Sequence, residues 1–117
     1  MPKQNKIDIR YKGKLVASGV VIADTYWAKL SGFMFRKKPH VSGILFESSG
    51  GIQTTFMSFD LDLVFLTDEN HVVQVLRGIK PWRLTWSYSN TRRVLEMPTG
   101  VLPSELEKGE VLEILPT

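Results

Sequence analysis

The chain has 117 residues, a formal charge of +3, a pI near 9.3 and 43% apolar residues. That suffices for one buried core, falls short of two domains and is too apolar for a disordered chain. There is no cysteine, which excludes disulfides, thiolate metal sites, iron–sulfur clusters and cysteine nucleophiles.

The first residues, Met1 to Lys6, are polar and basic, with no signal-peptide core behind them. Ile7, Ile9 and Tyr11 then alternate with Asp8 and Arg10, the period-two pattern of a half-buried strand. Lys12-Gly13 reads as a tight turn and 15–23 as the return strand, so a hairpin opens the chain. Asp24 suits the N-cap of a short helix over 25–31, ended by Gly32 in a left-handed conformation. Arg36-Lys37-Lys38-Pro39 lies in the following loop. Strands are predicted over 44–47, 52–57, 61–67 and 72–76, with Ser48-Ser49-Gly50-Gly51 and Asp68-Glu69-Asn70 as turns. After Pro81, the residues Trp82, Leu84, Trp86 and Tyr88 alternate with polar neighbours as an extended aromatic face. A strand over 93–97 closes at Pro98-Thr99-Gly100. A single helical turn over 103–108 is stopped by Gly109, and a last strand carries Val111, Leu112 and Ile114. About eight short strands with little helix predict a mainly β domain over 1–117, a small sandwich or barrel with one or two short helices.

Positive charge is scattered: Lys3, Lys6, Arg10, Lys12 and Lys14 at the front, Arg36 to Lys38 in a loop, then Lys80, Arg83, Arg92 and Arg93. With no block of five like charges, a solvated surface is expected rather than a nucleic-acid face. The apolar run 61–66 is far too short to cross a bilayer, so a soluble, cytoplasmic protein is expected.

Four pieces stand in a characteristic order: 30–36 (Leu-Ser-Gly-Phe-Met-Phe-Arg), 43–46 (Gly-Ile-Leu-Phe), 52–68, and Pro81-Trp82-Arg83. With Val94 to Gly100 and Lys108-Gly109-Glu110-Val111, the chain resembles the family called domain of unknown function 192 over about 27–114. The most specific part is Thr-Phe-Met-x-Phe-x-x-Asp-x-x-Phe-Leu, here Thr55 to Leu66. Many members have His-Thr where this chain has Gln53-Thr54, Pro-Ile-Asp or Pro-Leu-Asp at Asp60-Leu61-Asp62, and Gly-Asp at Gly109-Glu110. Gln53 neither titrates nor binds metal well, so a role as base or metal ligand does not carry over. The resemblance implies a mainly β sandwich or barrel and no particular activity.

Asp62 is the most informative residue, a carboxylate inside the apolar run 61–66. On a strand it shares a face with Val64 and Leu66, while Leu61, Leu63 and Phe65 face the other way; apolar residues on both faces mean both are covered. A buried carboxylate is costly without donors or a partner. It is therefore expected to be a structural clamp, accepting N–H groups from 51–53 or pairing with Arg36 or Arg83; the alternative is a raised-pKa acid or ligand contact. Pro81-Trp82-Arg83 reads as a barrel plug, or as the wall of a pocket for an acidic or planar group. Met57, with Phe56 and Phe59, reads as core or as pocket lining.

A candidate ligand site is thus Gln53, Thr54, Met57, Asp62, Trp82 and Arg83, with Gly32, Arg36, Pro81 and Gly109 in structural roles. His40 and His71 have no metal-ligand spacing, and neither a cofactor nor a metal is expected. The favoured function is a non-catalytic module for a small molecule or a protein, as monomer or homodimer. The alternatives are a small hydrolase using Asp62 with Asp60, or single-stranded nucleic-acid binding through Arg92, Arg93, Lys80 and Arg83 with Trp86 and Tyr88.

Overall fold

The computed structural model describes residues 6–23, 42–47, 59–80 and 88–117. Among the described residues, seven strands make one sheet: β1 Lys6–Tyr11, β2 Lys14–Ala23, β3 Ile44–Glu47, β4 Leu61–Leu66, β5 Val72–Ile79, β6 Arg93–Pro98 and β7 Glu113–Pro116, in the order β5-β4-β6-β3-β2-β1-β7. Every neighbouring pair is antiparallel except β2 and β3. The opening hairpin turns through Lys12 and Gly13, both at positive φ (51° and 78°), as a two-residue turn between twisted strands requires.

The sheet buries apolar side chains on both faces. On one face, Ile7, Ile9, Tyr11, Val20, Leu45, Val64, Leu66, Leu95 and Met97 pack with Leu102, Leu106 and Leu112. Residues from β1 to β6 and from 102–112 meet in this one inner cluster, so the sheet curls around it. The other face carries Ala23, Ile44, Phe46, Leu61, Leu63, Phe65 and Val94. All six residues of β4 are consequently buried, as its apolar run implied.

The ends of the curl approach but do not join. His71 bridges to Val111, Val72 N–H donates to the Glu110 carbonyl (2.7 Å), and Gly109 N–H donates to the Val72 carbonyl (2.9 Å). β5 and β7 do not pair, so the ladder is open. The mainly β expectation holds, in the form of a single open sheet. Among the described residues no helix occurs and none is long and apolar enough to cross a membrane. The helical turn expected over 103–108 is replaced by two successive turns, closed by Leu106 N–H on the Pro103 carbonyl and Glu110 N–H on the Glu107 carbonyl (both 3.2 Å). One proline-started turn has too few residues to nucleate a helix without more helical chain behind it. Gly109, expected to stop that helical turn, takes a left-handed conformation at φ +93°. β5 runs three residues past its predicted end at 76, and the last strand starts at Glu113, with Val111 held only by its bridge.

Both sheet edges are guarded. On β7, Thr117 N–H donates to the Lys6 carbonyl (3.2 Å), so the alternation of the ladder turns positions 114 and 116 outward. Proline at 116 has no N–H to offer there. On β5, Val75 N–H is capped by Gln74 Oε1 (3.0 Å), and the Arg77 guanidinium straps the Pro103 and Leu106 carbonyls across the edge (both 2.9 Å). These are the devices by which edge strands avoid pairing with another chain.

Candidate functional site

Asp62 is 2% exposed and lies on the inner face with Val64 and Leu66. Its neighbours on β5 explain how a carboxylate is tolerated there. Leu61 pairs with Ile79 and Leu63 with Leu76, so Arg77 and Gly78 together oppose the single residue Asp62: a β-bulge. Gly78 takes φ +65°, which a side chain would resist, and its N–H donates to Asp62 Oδ1 at 2.8 Å. From the turn after β6, the Thr99 hydroxyl donates to Oδ1 and Gly100 N–H to Oδ2, both at 3.4 Å. Asp62 therefore fastens β4 to the β5 bulge and to the end of β6, and no cation of the described residues takes part. Two backbone N–H groups and one hydroxyl hold the carboxylate. Its named donors at 51–53, and the alternatives Arg36 and Arg83, lie outside the described residues. Sequence reasoning missed Gly78, although a glycine inside a strand pattern is the signal of a bulge.

Of the candidate ligand site, Asp62 alone is described; Gln53, Thr54, Met57, Trp82 and Arg83 lie outside the described residues. So do the structural candidates Gly32, Arg36 and Pro81, the helix predicted over 25–31, the strand over 52–57 and most of the aromatic face, including Trp86.

The other charged candidates are largely engaged in holding the sheet. Asp60 is paired with Lys80 at 3.3 Å, which fixes the end of β5 beside the start of β4. Arg93 donates to the Asp68 carbonyl (2.9 Å) and to Asn70 Oδ1 (2.5 Å), bracing the turn between β4 and β5. The Tyr88 ring packs against Phe65 with centroids 4.8 Å apart and planes tilted by 60°. Arg92 and His71 are exposed. Among the described residues no cluster of three or more His, Asp and Glu side chains is placed to hold a metal.

Two acidic residues gain an importance that sequence reasoning did not assign. The Tyr11 hydroxyl donates to Glu110, whose other oxygen accepts Glu107 N–H at 3.0 Å, with Lys12 Nζ 3.7 Å away. The tyrosine hydrogen bond holds Glu110 below the usual carboxylate range, while burial raises the Tyr11 phenol. This clasp ties the first hairpin to the segment before β7. Glu96, in the middle of β6, is 6% exposed, and burial raises its carboxyl to about 8. It faces the second cluster, opposite Ile44 on β3 and Leu63 on β4, and no described residue donates a hydrogen bond to it. Alternation along Val94-Leu95-Glu96-Met97 would assign Glu96 to a solvent face; the covering of that face is a tertiary fact.

The described residues are all-β, one open, curled sheet with a buried carboxylate, Asp62, on the strand between β5 and β6. The chain belongs to the family described as Uncharacterized ACR, domain of unknown function 192, whose model matches residues 7–114. The match begins earlier than the resemblance over 27–114 and takes in the opening hairpin. A UPF0127 protein of Pyrococcus furiosus is 29% identical over 107 residues, covering 87% of this chain and 91% of the relative. A crystal structure of a protein of unknown function from Novosphingobium aromaticivorans superposes with a TM-score of 0.77 at 17% identity, covering 94% of this chain and 84% of that one. A Sinorhizobium meliloti protein described as a candidate transcription regulator superposes with a TM-score of 0.72 at 16% identity, covering 96% and 94%. At those identities the two structures share the fold alone. The family is one of unknown function.

Proposed function

We propose that this chain is a non-catalytic binding module that takes a small molecule at a site formed by Gln53, Thr54, Met57, Trp82 and Arg83, with Asp62 as its structural support. The observation that carries this reading is the engagement of Asp62. An acid–base role needs a carboxyl free to exchange a proton with substrate, and Asp62 already accepts from Gly78, Thr99 and Gly100. Asp60, its partner in a hydrolase, is held by Lys80. A protein partner recruited by strand addition is disfavoured by the guarded edges of β5 and β7. For nucleic acid, the commitment of Arg93 and Tyr88 within the fold removes two of the groups such a face would use. The absence of cysteine suits work in a reducing cytoplasm.

Native mass spectrometry of protein purified gently from its own host tests the reading. A reproducible added mass that is lost in a folded Trp82→Ala variant is the expected result. An added mass that survives Trp82→Ala would overturn the site, and a clean apo species binding oligonucleotides with steep salt dependence would replace the reading with nucleic-acid recognition.

A further inference from the structure

We propose that β7 is a releasable strand, hinged at Leu112 and fastened to β1 by a surface lock at Asp8, a conformational device independent of the ligand site. The lock repeats, in sequence and register, the arrangement around Asp62. Ile7-Asp8-Ile9 of β1 matches Leu61-Asp62-Leu63 of β4. Ile7 pairs with Val20 and Ile9 with Ala17, so Ser18 and Gly19 together oppose Asp8, as Arg77 and Gly78 oppose Asp62. Both bulge glycines take positive φ, +70° at Gly19 and +65° at Gly78. On the other side of each aspartate strand, Ile7 pairs with Pro116 and Leu61 with Pro98. The threonine after each proline makes the same two bonds. Its N–H donates to the carbonyl two residues before the aspartate, Thr117 to Lys6 at 3.2 Å and Thr99 to Asp60 at 3.3 Å. Its hydroxyl donates to the aspartate Oδ1, at 2.8 Å for Asp8 and 3.4 Å for Asp62.

The two locks differ in their surroundings, and that difference carries the inference. Leu61 and Leu63 lie in the second cluster, which turns Asp62 into the first; Ile7 and Ile9 lie in the first cluster, which turns Asp8 outward. β6 is held between β4 and β3, so loosening the Asp62 lock frees no strand by itself. Among the described residues β7 has β1 as its one neighbour, and its side chains are exposed apart from half-buried Ile114. The chain just before it is anchored: Leu112 is 1% exposed, and its N–H donates to the Asn70 carbonyl at 3.1 Å. Past that anchor, the ladder to β1 and the bonds of Asp8 hold the strand. Asp8 Oδ1 also accepts from the Ser18 hydroxyl at 2.7 Å. The Ser18 and Thr117 bonds, helped by the Gly19 backbone and by Arg10, hold the Asp8 carboxyl below its usual range, so it acts as a charged acceptor. Swinging β7 outward uncovers the edge of β1 and leaves β4 and β6 fully paired.

Amide hydrogen exchange of the full-length chain, followed by NMR at several urea concentrations, tests the device. The N–H groups of Glu113, Leu115 and Thr117 point toward β1 and report on release. In the native protein they should exchange through one shared opening, with a weaker urea dependence than the amides of β4 and β6. Asp8→Ala should speed all three by about tenfold, because it removes bonds to a charged acceptor. Asp62→Asn should speed β4 and β6 and leave β7 at its native rates, since release of β7 does not break the Asp62 lock; Thr99→Val serves if that variant does not fold. Unchanged β7 rates in Asp8→Ala would overturn the lock. Acceleration of β7 together with β4 and β6 in Asp62→Asn would overturn separate release, because β7 would then open only with the whole sheet. Rates graded from Thr117 down to Glu113, in place of one shared opening, would overturn the hinge.

Discussion

At the scale of single residues, two buried carboxyls on adjacent strands behave oppositely because of what faces them. Asp62 is opposed by a bulge whose spare N–H points at it; Glu96 is opposed by Ile44 and Leu63. Replacing Asp62 with asparagine keeps one acceptor but turns an amide N–H₂ toward a donor. The expected loss is about 1–3 kcal/mol in denaturant unfolding, and an unchanged midpoint would contradict the clamp. For Glu96 the sign follows from linkage. Its folded value of about 8 lies above the ordinary 4.5, so the folded state holds an extra proton between those limits. The contribution is fully present below 4.5 and is lost as pH rises through 8, at about 1.4 kcal/mol per pH unit inside the window. Glu96→Gln should be more stable than the native chain at pH 8 and above, and should flatten the decline in stability from pH 5 to 8. A pH profile identical in the two proteins would show that Glu96 titrates normally.

At the scale of elements, local rules for strands explain most of what forms, and edge chemistry explains what does not. β7 is exposed and only four residues long, yet proline occupies one of its outward-facing positions. Restoring the N–H with Pro116→Thr opens a ladder donor on that edge, and self-association measured by sedimentation should rise with protein concentration relative to the native chain. If the two proteins sediment alike, Pro116 is not the guard. On β5 the same protection comes from side chains: Gln74 occupies the Val75 N–H, and Arg77 reaches across the edge to the Pro103 and Leu106 carbonyls.

At the scale of the whole molecule, β4 and β6 lie between hydrogen-bonded neighbours and bury residues on both faces. The two clusters therefore share their central strands and should be lost together in one cooperative transition. Amide hydrogen exchange should be slowest in β4 and β6 and faster in β7, which has a single neighbour and exposed side chains. Comparable protection in β7 would mean that its open edge is covered.

The alternation of Ile7, Ile9 and Tyr11, the doubly apolar run around Asp62 and the turn residues at 12–13 and 68–70 were legible because period and turn chemistry belong to a few adjacent residues. They sufficed for a mainly β fold, for five strands with nearly correct bounds, and for Asp62 as a buried carboxylate sharing a face with Val64 and Leu66. The strand order, the parallel pairing of β2 with β3 and the central place of β6 were decided only by the tertiary structure. Each depends on which distant strand completes a ladder, and side-chain alternation is the same whichever partner is chosen. For the same reason the donors to Asp62 and the burial of Glu96 were hidden: one needs a bulge on a neighbouring strand, the other a covering for a face that alternation alone leaves to water.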